Sequence, residues 1–150
     1  MVDETRSKEQ LIKEIEELRE KLAQLRASLE MYRQLVEQAN SIILKMDTKG
    51  NITFFNGFAQ RFFGYYKDEI IGQNVLGTIV PKTDQAGRDL EAMLKDLGEN
   101  PERYSVNENE NMRRNKELVR IVWTNRPIIN EEGVIAEIIC IGNDISRLRK

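Results

Sequence analysis

"RPIINEEGVIAEIICIGNDIS", residues 126–146, is the stretch that decides the fold of this chain. From Val134 to Ile141 it is apolar and rich in β-branched residues, and "NEEG" ahead of that run reads as a turn between two strands. Gly142 breaks the run, and Asp144, Ile145 and Ser146 then lead into a basic end, "SRLRK". The strand before the turn, Leu118–Ile128, alternates Val119, Ile121 and Trp123 with Leu118 and Val122, so both of its faces are apolar. Ile138 and Cys140 alternate with Ile139 and Ile141 in the same way. A sheet with one wet face does not read like this, so its second face is expected to be covered, by an N-terminal helix or that helix's twin in a dimer.

Further upstream, a strand is expected around Tyr104–Met112, joined through "RRNK" to the one at Leu118. "SIILKMDTKGNITFFN", residues 41–56, places Ile42, Leu44 and Met46 on one face, turns at Asp47 to Gly50, and resumes with Ile52 and Phe54 as a hairpin. Asn56 is a cap for the short helix "GFAQRFF", which Gly64 closes, and "KDEII" makes one more turn, closed by Gly72. Asp84 is the expected cap of a helix "QAGRDLEAMLKDL", with Ala86, Leu90, Met93, Leu94 and Leu97 on one face and Gly98 as its stop. The order β-β-α-α-α-β-β-β with short links predicts an α+β fold: a five-stranded antiparallel sheet with helices on one face.

The first 40 residues use different grammar. They contain no Gly and no Pro, whereas the remainder holds all nine Gly and all three Pro. Apolar residues fall at Leu11, Ile15, Leu18, Leu22, Leu25, Leu29, Tyr32 and Val36, in steps that alternate four and three. That is a heptad seam, with Ile15, Leu22, Leu29 and Val36 at a and the others at d, on a helix about 45 Å long from Ser7 to Gln38. Ser7 and Gln10 have capping-box spacing. So thin a stripe buries little alone, which predicts a homodimer joined by a coiled coil. In a parallel pair Glu14 meets Arg19 favourably, while Lys21 against Arg26 is repulsive. The expected division is therefore a dimerisation helix over 1–40, an α+β domain over 41–146, and a short basic segment over 147–150.

Composition excludes several function classes. With 23 basic and 25 acidic residues the net charge is −2, and no basic field points to nucleic acid. No apolar run approaches the ~20 residues of a membrane span, and nothing resembles a signal peptide, so a cytoplasmic location is expected. The single cysteine, Cys140, makes no internal disulfide, and with no histidine in the chain the commonest general base, zinc ligand and haem ligand are missing. No catalytic residue and no metal site is expected.

Residues 35–146 resemble a PAS domain. The resemblance is carried by "ANSIILKMDTKGNITFFN", "FFGYYKDEIIGQNV", "RPIINEEGVIAEIICIGNDIS" and, most of all, the G-x-D-I-[ST] pattern from Gly142 to Ser146. It implies a sensory module of a bacterial signalling protein, with a pocket under its helices and a kinase or cyclic-nucleotide enzyme downstream. It also implies that Asp144 and Ser146 stand where the last strand hands over to the outgoing signalling helix. Flavin photosensors of the family carry a reactive Cys where this chain has Val75, and a pocket Gln where it has Gly142, so no covalent flavin adduct is expected; haem held by histidine is excluded as well. The pocket is expected to be lined by Met46, Phe62, Ile121, Trp123, Asn125 and Ile138, with Phe63 as the alternative to Phe62. A non-covalent flavin, a small metabolite or a filled core that serves only a structural dimer all stay open. The family's usual Ser or Thr cap before "KDEII" is replaced by Tyr66, which predicts a loose turn there.

Overall fold

The computed structural model describes residues 7–146. The chain divides into two compact units, Met1–Val36 and Glu37–Lys150. Helix α1 runs Lys8–Gln38, all but its last two residues in the first unit, and its start is reciprocal: the Ser7 N–H donates to Gln10 Oε1 (3.0 Å) and the Gln10 N–H to Ser7 Oγ (3.2 Å). Seam residues Leu11, Ile15, Leu18, Leu22, Leu25, Leu29 and Tyr32 are exposed, and Val36 is half-buried. Among the described residues no helix is long and apolar enough to cross a membrane.

The second unit is a five-stranded antiparallel sheet in the order β2-β1-β5-β4-β3, built from β1 (Ile42–Met46), β2 (Ile52–Phe55), β3 (Val106–Met112), β4 (Leu118–Ile129) and β5 (Ile135–Asp144). Between β2 and β3 lie α2 (Gly57–Phe63), α3 (Lys67–Ile70), α4 (Leu90–Glu99) and a single 3-10 turn at Pro101–Tyr104. The hairpin turn forms for the reason its sequence suggests: Asp47 Oδ1 accepts from the Lys49 and Asn51 amides (2.9 Å each), and Gly50 takes φ +90°. Burial pushes the Asp47 carboxyl up, but the donations from Asn51 and Lys49 outweigh it and hold the group below the usual carboxylate range.

Asn56 does more than cap α2. Fully buried, it accepts at Oδ1 from the Ala59 and Ile43 amides (3.0 Å each) and donates from Nδ2 to the Ser41 carbonyl (3.1 Å), so one side chain ties helix to strand. Asn56→Ala leaves two buried N–H groups and a carbonyl without these partners. At roughly 1–3 kcal/mol for each orphaned group, urea unfolding is expected to show a stability loss of about 3 kcal/mol.

Three expectations are corrected. Helix α4 begins at Leu90 with Asp89 as its cap, its carboxylate accepting from Ala92 N–H at 3.0 Å; Asp84 instead closes its own loop by accepting from the Ala86 and Arg88 amides. Gly98 is not the stop, because α4 continues to Glu99 and Gly98 is buried against the Thr48 backbone. At Tyr66 other groups stand in for the missing Ser or Thr cap: the Tyr66 N–H donates to Glu69 Oε1 (3.0 Å), the Lys67 N–H donates to Gln60 Oε1 (3.1 Å), and Arg114 pairs with Glu69 at 2.9 Å. The expected outgoing helix from residue 147 lies outside the described residues.

Candidate functional site: an amide-walled cavity under α4

The inward face of the sheet and α4 enclose a cavity of about 40 Å³. Its apolar side is built from Leu44 and Met46 on β1, from Val75, Ile79 and Val80 ahead of α4, and from Met93, Leu94 and Leu97 on α4. Opposite stand Trp123 and Asn125 on β4, Cys140 on β5, and three asparagines that recur every second residue of β3, namely Asn107, Asn109 and Asn111. Period-two geometry puts all three on one face of the strand.

These amides form a chain. Asn107 Nδ2 donates to Asn109 Oδ1 (3.1 Å), Asn109 Nδ2 to Asn111 Oδ1 (3.2 Å), and Asn111 Nδ2 to the Ile79 carbonyl (3.0 Å). The Trp123 indole N–H also donates to Asn111 Oδ1 (3.1 Å). Asn125 Nδ2 donates to the Tyr104 carbonyl (2.8 Å), anchoring β4 to the 3-10 turn. Near that turn the Tyr104 hydroxyl donates to Asp96 Oδ2 (2.7 Å), which holds the Asp96 carboxyl below its usual range with help from Asn100 and Arg103. The same bond raises the Tyr104 hydroxyl. Cys140 is buried, and desolvation pushes its thiol up to about 12, so it stays protonated and unreactive.

Of the residues expected to line the pocket, Met46, Trp123 and Asn125 do so. Ile121 and Ile138 are fully buried in the surrounding core without lining it. Phe62 is a correction. Neighbouring helical side chains point about 100° apart, so only one of two adjacent phenylalanines can face the sheet. Phe63 is buried at 1% exposure, while Phe62 lies under the Arg113 guanidinium, 4.3 Å from ring centroid to Arg113 Cζ, and neither ring lines the cavity. The sequence reading missed Asn107, Asn109 and Asn111, although "NENEN" at 107–111 shows the alternation openly.

Trp123 links the cavity to the end of the chain. It pairs across the strands with Gly142, and a Cβ on Gly142 would come within 2.7 Å of the indole ring. The glycine is therefore what lets the ring lie flat on β5. Two residues on, Asp144 Oδ1 accepts from the Ser146 N–H (2.9 Å), Ser146 Oγ accepts from the Arg120 N–H (2.9 Å), and the Ile145 N–H donates to the Arg120 carbonyl (2.9 Å). These bonds fasten the exit from β5 to β4.

As it stands the cavity does not hold a flavin: the indole fills the space over Gly142, and about 40 Å³ is far below the roughly 300 Å³ or more of a small-molecule site. Among the described residues no three Cys, Asp or Glu side chains gather as metal ligands.

A family model described as PAS fold matches residues 30–145. The structure is similar to the PAS domain of a Colwellia psychrerythraea protein, with a TM-score of 0.68 at 20% identity over 79% of this chain and 98% of that one. It is similar to the PAS domain of an HTR-like protein from Haloarcula marismortui, with a TM-score of 0.63 at 17% identity, covering 85% and 99%. The PAS domain of the Cronobacter turicensis RpfR quorum-sensing receptor, in complex with C12:0, aligns with a TM-score of 0.54 at 28% identity, covering 73% and 98%. Comparison with curated proteins gives no match.

Proposed function

The chain belongs to the PAS fold family, and on that footing we propose that it is a non-catalytic sensory module of a signal-transduction protein. It dimerises through the α1 seam and passes a change in its cavity to a downstream output domain, a kinase or a cyclic-nucleotide enzyme. The observation that carries this reading is the continuous path from cavity to exit: Asn111 holds the Trp123 indole, the indole lies on Gly142, and Gly142 precedes the Asp144–Ser146–Arg120 fastening. A ligand that moves the indole pushes on the strand whose end is held by three hydrogen bonds. The apolar wall of the cavity and the C12:0 complex of the 28% identical RpfR domain both support a small ligand with an aliphatic part. Admitting one of more than a few atoms requires α4 to move outward.

The small volume favours a second reading, a structural dimeriser whose core is filled. The experiment that separates the two joins residues 1–150 to a histidine-kinase output domain and introduces Asp144→Ala. The expected result is an unchanged circular dichroism spectrum, a stability loss of about 1 kcal/mol, and kinase activity that no longer responds to the module. Regulation identical to the parent fusion would sink the relay.

A further inference from the structure

A second concave surface lies where the C-terminal end of α2 meets the β3–β4 turn. It is a groove of about 360 Å³, and three of its lining residues are arginines: Arg61 from α2, and Arg113 and Arg114 from the turn. No carboxylate lines it, in a chain whose net charge is −2. The turn is fixed to the helix, because the Arg114 N–H donates to the Phe63 carbonyl (2.8 Å) and Arg114 Nη1 to the Gly64 carbonyl (3.3 Å). Closing α2 in this way explains Arg114, whose charge Glu69 balances at 2.9 Å. It explains neither of the other two.

Arg113 is held flat. Its guanidinium lies over the Phe62 ring at 4.3 Å, and Phe62 stacks in turn on Phe58, with 6.1 Å between centroids. Glu117 Oε1 comes within 3.5 Å of Arg113 Nε, yet this buried nitrogen donates no hydrogen bond among the described residues. Arg61 is exposed, and among the described residues its guanidinium makes neither a hydrogen bond nor an ion pair. The acceptors nearby are engaged. Asn115 Oδ1 receives the Glu117 N–H (2.9 Å), and Arg114 takes the Phe63 and Gly64 carbonyls. The groove therefore offers donors, with one positive charge that no carboxylate balances.

From this geometry we infer that the groove is a site for a phosphate group carried on a small soluble molecule, a phosphate ester or a diphosphate, with Arg61 and Arg113 as its main contacts. A carboxylate has two oxygens in one plane, and a single guanidinium fork satisfies it. A phosphate group presents three acceptor oxygens and about −1.5 to −2 of charge, which suits donors that arrive from a helix and from a turn. Stacking on Phe62 holds the Arg113 fork in place before a ligand arrives, so less side-chain freedom is lost on binding. This site is separate from the cavity under α4 and does not rest on the sensory reading.

The test is calorimetric titration of the intact chain with inorganic pyrophosphate at low ionic strength, where surface charges are least screened. One pyrophosphate is expected to bind per chain. Arg61→Gln, at an exposed position, should leave the unfolding midpoint unchanged and raise Kd about tenfold, as the loss of one charge-assisted hydrogen bond does. Arg126→Gln, at an exposed arginine of β4 outside the groove, should leave Kd unchanged, and acetate should give no heat. A chain that takes up no pyrophosphate at millimolar concentration overturns the inference. So does an equal loss of affinity in the two variants, which marks diffuse attraction, or acetate bound as tightly as pyrophosphate. In a second arm, phosphatidylcholine vesicles containing phosphatidic acid should sediment without the chain, because the groove is concave and a bilayer is flat. Co-sedimentation that Arg61→Gln abolishes would overturn the assignment to a soluble ligand in favour of a lipid headgroup.

Discussion

Leu18→Lys combined with Leu25→Lys is expected to yield monomers by light scattering at micromolar concentration, where the proposed coiled coil makes the parent chain a dimer. The two side chains occupy successive d positions of the seam and are 63% and 62% exposed within one chain, so α1 gains nothing from them until a second copy arrives. Burying a leucine contributes about 1.5–3 kcal/mol. Losing two from each helix thus removes roughly 6 kcal/mol or more, at least about four powers of ten in Kd. The lysines also face their own counterparts across the seam. Helix content and the unfolding midpoint of the second unit should change little, because exposed positions contribute within about 0.5 kcal/mol to the fold of a single chain. If scattering still reports two chains, the seam is not what joins them, and the relay proposed above has lost its mechanical input.

A second large effect is expected inside the sensor domain, from Gly98→Ala. On propensity alone this change should help, since alanine is about 1 kcal/mol better than glycine within a helix. The tertiary contact reverses the sign. A Cβ on Gly98 would collide with the Thr48 carbonyl, and the obstacle is backbone that no rotamer change can clear. Helix α4 must then back away from the β1–β2 turn and take Met93, Leu94 and Leu97 with it, which opens the cavity. The expected cost is about 2–4 kcal/mol in urea unfolding, with a red shift of Trp123 emission as water enters. Lys95→Ala, on an exposed position of the same helix, serves as the control and should lie within about 0.5 kcal/mol of the parent. An equally stable Gly98→Ala protein would mean that the helix and turn are not held together at this point.

The contrast between these two glycine effects shows where sequence reasoning reaches and where it stops. Asn56, Gly64 and the Asp47–Gly50 turn were legible because each acts on backbone within a few residues. The start of α4 was not. Asp84 and Asp89 are both acceptable caps, and what separates them is a loop that spends Asp84 on its own amides around Gly87 at φ +88°. Tyr66 was read as a lost cap because the compensating groups, Gln60 and Arg114, lie 6 residues before it and 48 after it. Phe62 and Phe63 were told apart only by the angle at which α2 meets the sheet.

Alternation, heptad spacing and turn chemistry were enough to determine the strands, their order along the chain, the long amphipathic helix and the residues able to cap each element, since all of these depend on interactions between near neighbours. What the tertiary structure alone decided was the cavity: which side chains meet the asparagine face of β3 across it, and how closely α4 can approach. Those outcomes depend on distances between segments far apart in the chain, and local propensity carries no information about them.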